Sequence, residues 1–374
     1  MSHTKALVEE GISKALAFLE REHFEEISQS SVETLFFRSK SLKSNLEKTI
    51  NRLGYHLAKA DTIKKLENYK TLAREKLWAV QTFLAALTEN ENFDLVYSFL
   101  GDEPSRETFD WFIKARVAFA FLGNRAFDLF PSPVDKQLFE RGIQEIAQKQ
   151  GGGRVFIEDF RLKSPPQNLF CSFISQQYRL PGLVEPKQGD WVFDIGGCFG
   201  ETSFWFSRLV GENGKIFCFE PVPENYKVLE ENLRTNRVEN IVPVQMAVGD
   251  FTGEVQIFGE GGSAAISETG SIVPCITIDE FVSRLRVEKV DMIKMDIEGS
   301  ELKAIKGAAE TLKRFKPKLA ISVYHRGEDC VSIPLFIESL KLGYMVYLRN
   351  FTPFYLETIL FATTKPQKGS NPSL

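Results

Sequence analysis

Val192-Phe193-Asp194-Ile195-Gly196-Gly197-Cys198-Phe199-Gly200 decides the fold of this chain. An apolar strand ends in an acid, breaks into a glycine turn, and passes at once into an amphipathic segment from Glu201 to Val210. That order is the first strand, turn and helix of a nucleotide-binding α/β sheet. The spacing is Asp-x-Gly-x-x-x-Gly and differs from the Gly-x-Gly-x-x-Gly of dinucleotide enzymes. Glycine is needed where a turn takes positive φ and a ligand touches backbone. Asp194, Gly196, Gly197 and Gly200 are therefore the first candidate ligand contacts.

Working outward, a second apolar run, Lys215 to Glu220, closes on a carboxylate and Pro221. An acid at the tip of a second strand can accept both hydroxyls of an adenosine ribose, and a solvated carboxylate is the alternative. Pro223 suits the first turn of a following helix, with Tyr226, Leu229 and Leu233 at helical spacing. A third strand is expected over Ile241–Val248, with backbone near Met246 and Ala247 beside an adenine. A fourth, Val290–Met295, delivers Asp296 and Glu298 to the carboxyl edge of the sheet, where ligands bind in open α/β folds. A fifth, Lys318–Tyr324, delivers His325 to the same edge. Short strands alternating with helices predict a doubly wound, mostly parallel sheet. Glu254–Phe258 and Ser271–Ile276 read as an inserted hairpin after the third strand. Val331–Leu342 reads as a helix capped by Gly343. Tyr344–Leu348 and Thr358–Ala362 then form an antiparallel hairpin, which dinucleotide folds usually lack.

Asp194–Gly200, Phe219-Glu220-Pro221, Ala247–Asp250, Thr277–Phe281 and Lys294-Met295-Asp296-Ile297-Glu298-Gly299-Ser300-Glu301 together resemble FkbM-type S-adenosylmethionine-dependent methyltransferases. The similarity runs from about 190 to 362. Asp102-Glu103-Pro104-Ser105-Arg106-Glu107 resembles, more weakly, a block upstream of that domain in some members. The resemblance implies a class I, Rossmann-like methyltransferase fold with a seven-stranded sheet. It implies S-adenosylmethionine as cofactor and methyl transfer to a hydroxyl of a sugar, glycan or natural product. Related sequences often carry histidine where this chain has Asn350 after Arg349, so that position receives no catalytic role.

Length and composition bound the rest. The chain has 374 residues, enough for two domains and a sizeable core. A net charge of −4 argues against nucleic acid as the main partner. No apolar run is long enough to span a bilayer, and the start lacks a signal-peptide core, so a cytoplasmic location is expected. Cys171, Cys198, Cys218, Cys275 and Cys330 are scattered and odd in number, which predicts reduced thiols.

Residues 1–150 read as a helical N-terminal domain. Its apolar stripes include Ile12, Leu16 and Leu19, then Leu77, Val80, Phe83, Leu84 and Leu87. Asp102 with Pro104 is a helix start signal, and Trp111, Phe112, Ala115, Phe119 and Leu122 follow as a stripe. Such stripes serve helix packing, a cap over an acceptor pocket, or contact with a second copy of the chain. Gly151-Gly152-Gly153 marks a tight turn into a connector over 151–189, with Val155–Ile157 a short strand. Tyr178 lies where comparable folds close over the cofactor, with simple packing as the alternative. The methyltransferase-like domain covers 190–365, and 366–374 reads as a disordered tail.

A neutral hydroxyl is a poor nucleophile and needs a base or a metal as the C–O bond forms. Asp296 and His325 are the candidate pair, with Glu298 a third catalytic candidate. Cofactor contacts are expected from Asp194, Gly196, Gly197, Gly200, Glu220, Pro221, Met246, Ala247, Asp296 and Tyr178. Glu301 can open the next helix. A divalent ion such as magnesium could take oxygen ligands from Asp296, Glu298 and Asp329; the sequence leaves the metal open. Two other functional classes compete: a nicotinamide-dependent oxidoreductase, and a catalytically silent binder of S-adenosylmethionine or S-adenosylhomocysteine. The partner expected is a small-molecule or glycan acceptor.

Overall fold

The computed structural model describes residues 2–21, 75–259, 265–266 and 270–364. Within them, seven strands make the central sheet. They are β1 (Trp191–Ile195), β2 (Lys215–Phe219), β3 (Ile241–Val244), β4 (Met292–Met295), β5 (Lys318–Ser322), β6 (Met345–Asn350) and β7 (Thr358–Thr363). Their order across the sheet is β6-β7-β5-β4-β1-β2-β3. β1 to β5 pair in parallel. β7 runs antiparallel to both β5 and β6. The mostly parallel sheet with an antiparallel C-terminal hairpin is thus the observed architecture.

The strands alternate as pleated elements buried on both faces must. Phe193, Ile195, Ile293, Met295, Leu319 and Ile321 point into one apolar cluster, whereas Val192, Met292 and Ala320 point into the other. The first cluster is completed by helices Asn90–Phe99 and Glu103–Leu122, through Phe93, Phe109, Phe112 and Phe119. The second is completed by Phe139, Leu162, Phe173 and Tyr178 from the segment that precedes β1. β3 differs most from its expected span. β3 ends at Val244, and the Met246 N–H donates to the Val244 carbonyl at 3.0 Å, re-aiming the chain. Ala247–Val248 then leaves the main sheet and pairs in parallel with Ser271–Ile276. That strand also pairs antiparallel with Gly253–Phe258, which is the expected inserted hairpin.

At the N-terminal side, Asp102 caps helix Glu103–Leu122 by accepting from Ser105 N at 2.9 Å. Phe112, Ala115 and Phe119 of its stripe are buried. The stripe on helix 75–88 differs: among the described residues it buries Phe83, while Leu77 is 57% exposed and Leu84 45% exposed. The side chains of Leu16 and Leu19, and the tail 366–374, fall outside the described residues. All five cysteines are free thiols. No described helix is long and apolar enough to cross a membrane.

Candidate active site

A cavity of about 230 Å³ opens at the carboxyl ends of β1, β2 and β4. Its first wall is the glycine turn. Gly196 has φ +80°, and a Cβ there would lie 1.9 Å from the Asp296 carbonyl oxygen. A Cβ on Gly197 would lie 2.1 Å from Cys218 Sγ. Both glycines are therefore required by close approach. Their N–H groups donate to the Phe219 carbonyl at 3.0 and 2.8 Å, which ties the turn to β2.

Asp194 departs from its expected role. It is fully buried, does not line the cavity, and pairs with Lys294 at 2.9 Å while accepting from Ser203 Oγ at 2.6 Å. Asp194 and Lys294 are register partners on β1 and β4, so a sheet pairing places the ion pair. Lys294 Nζ donates to the Gly196 carbonyl at 2.7 Å and lies 4.9 Å from the centroid of the Tyr178 ring. Asp194 thus shapes the turn through Lys294. Gly200 also stands back from the cavity, as the left-handed N-cap of helix Glu201–Val210, packed against Leu229 and Phe204.

Glu220 lines the cavity just beyond β2. It accepts from Cys198 N at 2.8 Å, Val222 N at 2.9 Å and Asn225 Nδ2 at 3.3 Å. Burial outweighs these bonds and pushes its pKa up to about 7. Pro221, Met246 and Ala247 line the same end.

The opposite end is acidic. Asp296 follows β4, and Tyr178 OH donates to its Oδ2 at 2.7 Å. Tyr178 is itself only 2% exposed and lines the cavity. Burial raises the Asp296 pKa, but the charges of His325 and Lys294 and the Tyr178 bond outweigh it and hold the carboxyl below its usual range. Glu298 lines the cavity from a left-handed backbone at φ +54°.

His325 does not line the cavity. It is 1% exposed, with Nδ1 2.8 Å from Glu301 Oε1 and Nε2 3.5 Å from both Asp296 Oδ1 and Glu298 Oε1. Burial lowers its pKa, but Glu301 and Glu298 outweigh it and raise the imidazole well above its ordinary value. His325 is buried among carboxylates and stands behind the cavity residues Asp296 and Glu298. Helix 75–88 seals it: the Trp78 ring meets it edge-on at 5.8 Å, and Thr82 Oγ1 donates to the Gly327 carbonyl at 2.9 Å. Arg116, stacked against Phe112 and Tyr355, donates to the Tyr324 carbonyl at 2.8 Å.

Among the described residues, atoms of Asp296, Glu301 and His325 lie within 4.8 Å of one another. The two Glu301 oxygens, however, accept from Ile297 N at 2.8 Å and Gly299 N at 2.9 Å, bracing the turn before their helix. His325 Nδ1 lies 2.8 Å from Glu301 Oε1, and its Nε2 faces Asp296 and Glu298 at 3.5 Å. Asp329, expected to join Asp296 and Glu298, instead lies outside the cavity and accepts from Arg326 N at 3.0 Å. Burial, then the Glu301 charge, push its pKa up to about 7.

Among the cavity residues that were not expected are Tyr324 and Glu357. Tyr324 OH lies 3.1 Å from Glu357 Oε1 and 3.4 Å from Asp296 Oδ1. Glu357 sits at φ +59° immediately before β7. Burial, then the Asp296 charge, push its pKa up to about 8. A lone acid between apolar runs, in Tyr355-Leu356-Glu357-Thr358-Ile359, is the one sequence signal that could have found it.

Residues 194–346 match the Methyltransferase FkbM domain. The chain is similar to a hexuronic acid methyltransferase of Haloferax volcanii, 25% identical over 167 residues, 43% of this chain and 66% of that protein. It is similar to a 2-O-methyltransferase of Sinorhizobium fredii, 25% identical over 159 residues, 36% of this chain and 64% of that protein. The matches thus span just under two-thirds of those relatives' own length. In fold it resembles an FkbM methyltransferase structure from Methylobacillus flagellatus KT, with TM-score 0.50, 21% identity, and coverage of 76% of this chain and 60% of that one.

Proposed function

We propose that this chain, whose residues 194–346 match the Methyltransferase FkbM domain, transfers a methyl group from S-adenosylmethionine to a hydroxyl of a sugar or glycan. The observation that carries the reading is the cavity itself. A glycine turn and an acid-tipped β2 meet at one end, and Asp296 stands at the other. The relatives' names, a hexuronic acid methyltransferase and a 2-O-methyltransferase, are consistent with a sugar acceptor and with transfer to oxygen.

Glu220 holds the ribose hydroxyls, and Gly196 and Gly197 let the cofactor lie against backbone. Met246 and Ala247 flank the base. The cofactor supplies an electrophilic methyl on a sulfonium. Asp296, kept ionised and fixed by Tyr178, orients the acceptor hydroxyl toward that methyl, and such alignment supplies much of the rate. His325 serves from behind, holding the carboxylates of Asp296 and Glu298 in place. The N-terminal helices hold the Tyr324–Gly327 turn.

Incubating the protein with labelled S-adenosylmethionine and cell extract, then identifying products by mass spectrometry, tests the reading. A methyl ether on a carbohydrate is the expected product. Transfer only to amines or carboxylates would overturn the acceptor class, and no binding of the cofactor would overturn the whole.

A further inference from the structure

Glu357 belongs to a part of the chain that no motif marked, yet it forms the acceptor-side wall beside Asp296 and Glu298. Its Oε1 accepts from Tyr324 OH, which also approaches Asp296, so one phenol bridges two carboxyls. Its Oε2 is shielded from solvent and has no hydrogen-bond partner among the described residues. An unpartnered buried carboxyl oxygen is costly unless something else meets it. The backbone is left-handed at both Glu357 and Glu298, two non-glycine residues on different loops that face one cavity. Such strain persists where the surrounding structure imposes it, and it gathers at functional sites.

The cavity is lopsided in charge. Glu201, Glu220, Asp296, Glu298 and Glu357 line it, with Lys294 the one lining lysine or arginine among the described residues. Lys294 is already engaged by Asp194. A neutral ligand would leave this imbalance in place, whereas a sulfonium relieves it.

We propose that Glu357 is the proton acceptor of the transfer, emptied when the positively charged cofactor binds and refilled when the acceptor hydroxyl is methylated. The assignment rests on the cofactor reading above and extends it. The oxygen lone pair forms the new O–CH3 bond, and the electron pair of the S–CH3 bond returns to sulfur. The hydroxyl proton passes to the Glu357 carboxylate. Positive charge on sulfur and negative charge on Glu357 disappear together, so the step leaves no net charge behind in a low-dielectric site.

The groups facing Glu357 support this cycle. Asp296 and Glu298 from the edge of β4 hold its proton on, and His325 and Tyr324 beyond β5 pull the other way. Tyr178 and Cys171, from the segment before β1, feel its charge and stay neutral. With its pKa near 8, Glu357 carries a proton at pH 7 until a neighbouring positive charge removes it. Asp296, held low, is too weak a base for the same task.

Calorimetry of the full chain in buffers of different ionisation enthalpy measures this without an acceptor. At pH 7, S-adenosylmethionine binding should release about one proton more than S-adenosylhomocysteine binding. The product analogue lacks only the charged methyl, so contributions from Glu220 at the ribose end cancel. The difference should vanish at pH 9.5, vanish in Glu357→Gln, and survive in Glu357→Asp. Equal proton release for the two ligands in the wild-type chain would overturn the assignment, as would a difference that persists in folded Glu357→Gln. If neither ligand binds, the cofactor reading falls and this assignment falls with it, which the titration shows as an absence of heat.

Discussion

The Tyr178 hydroxyl donates to Asp296 Oδ2 at 2.7 Å, joining a residue before β1 to the acid at the tip of β4. The bond fixes a carboxylate that burial would otherwise destabilise. It also brings the connector over 151–189 into the acidic end of the cavity.

Tyr178→Phe should therefore lower turnover with little loss of cofactor affinity. A hydrogen bond to a charged group contributes about 1.5–3 kcal/mol. The expected fall in kcat is about tenfold or more, since each 1.4 kcal/mol is a factor of ten. Kinetics with a working acceptor check this, alongside calorimetry of the cofactor. An unchanged kcat would mean that Asp296 is held adequately by its other neighbours.

Glu220→Ala should weaken S-adenosylmethionine binding by about 1.5–3 kcal/mol, the scale of hydrogen bonds to an ionised group. The same carboxylate ties Cys198 N and Val222 N, so Glu220→Gln is the cleaner variant. Because the Glu220 pKa is near 7, affinity for S-adenosylhomocysteine, whose binding draws no proton from Glu357, should rise between pH 6 and 8 as the carboxylate forms. Flat affinity over that range would remove Glu220 from the ribose contact.

Stability without ligand should fall as pH rises from 6 to 9. Glu220 and Asp329 have pKa values raised to about 7, and Glu357 to about 8. Each unfolds to an ordinary, lower carboxyl pKa, so the unfolded chain binds fewer protons and unfolding is favoured as pH increases. His325, raised in the fold, acts in the same direction. Asp296, lowered in the fold, loses its contribution only in strong acid, outside this window. The combined loss is of order a few kcal/mol, and urea denaturation across the range measures it. Glu357→Gln should flatten the upper half of the profile. A stability maximum above pH 8 would contradict the buried, protonated state of these groups.

Asp102→Ala should destabilise the chain by about 2 kcal/mol, and Asp102→Asn by less. Asp102 caps its helix through Ser105 N and pairs with Arg349 of β6 at 2.6 Å. Loss of an N-cap costs about 1 kcal/mol, and asparagine preserves it. The partly buried pair accounts for the remainder, an amount like that of other polar contacts. Denaturant midpoints of the two variants separate the contributions. Equal effects would assign all of the stabilisation to the ion pair.

A chain beginning at Arg154 should be poorly soluble and lack a cooperative unfolding transition. Phe109, Phe112 and Phe119 of the N-terminal helices share one apolar cluster with Val346, Leu348 and Leu360 of β6 and β7. Removing them exposes that face of the hairpin, and large exposed apolar patches favour association. Circular dichroism and light scattering of the shortened chain test this. A monomeric, cooperatively folded product would show that the second half sustains its own core.

The sequence by itself determined the sheet and which strand tips carry acids. β1 spans Trp191–Ile195 and its helix Glu201–Val210, the limits expected from local pattern. Glycine turns, alternating apolar runs and acids at strand ends are local signals, and parallel connectivity brings those ends to one edge. Resembling blocks were less faithful guides to chemistry. Asp279, within Thr277–Phe281, accepts from Thr311 N at 2.7 Å and organises two helices away from the cavity. Tertiary structure alone decided how the acids differ. Asp194 became a strut because β4 sets Lys294 beside it, and His325 is buried among carboxylates because Glu301 folds back and Trp78 covers it. Glu357 entered the site from a loop without a motif, since the antiparallel β7 starts where the parallel strands end. Burial and neighbouring charge set a carboxyl's protonation, and both depend on contacts between residues far apart in the chain.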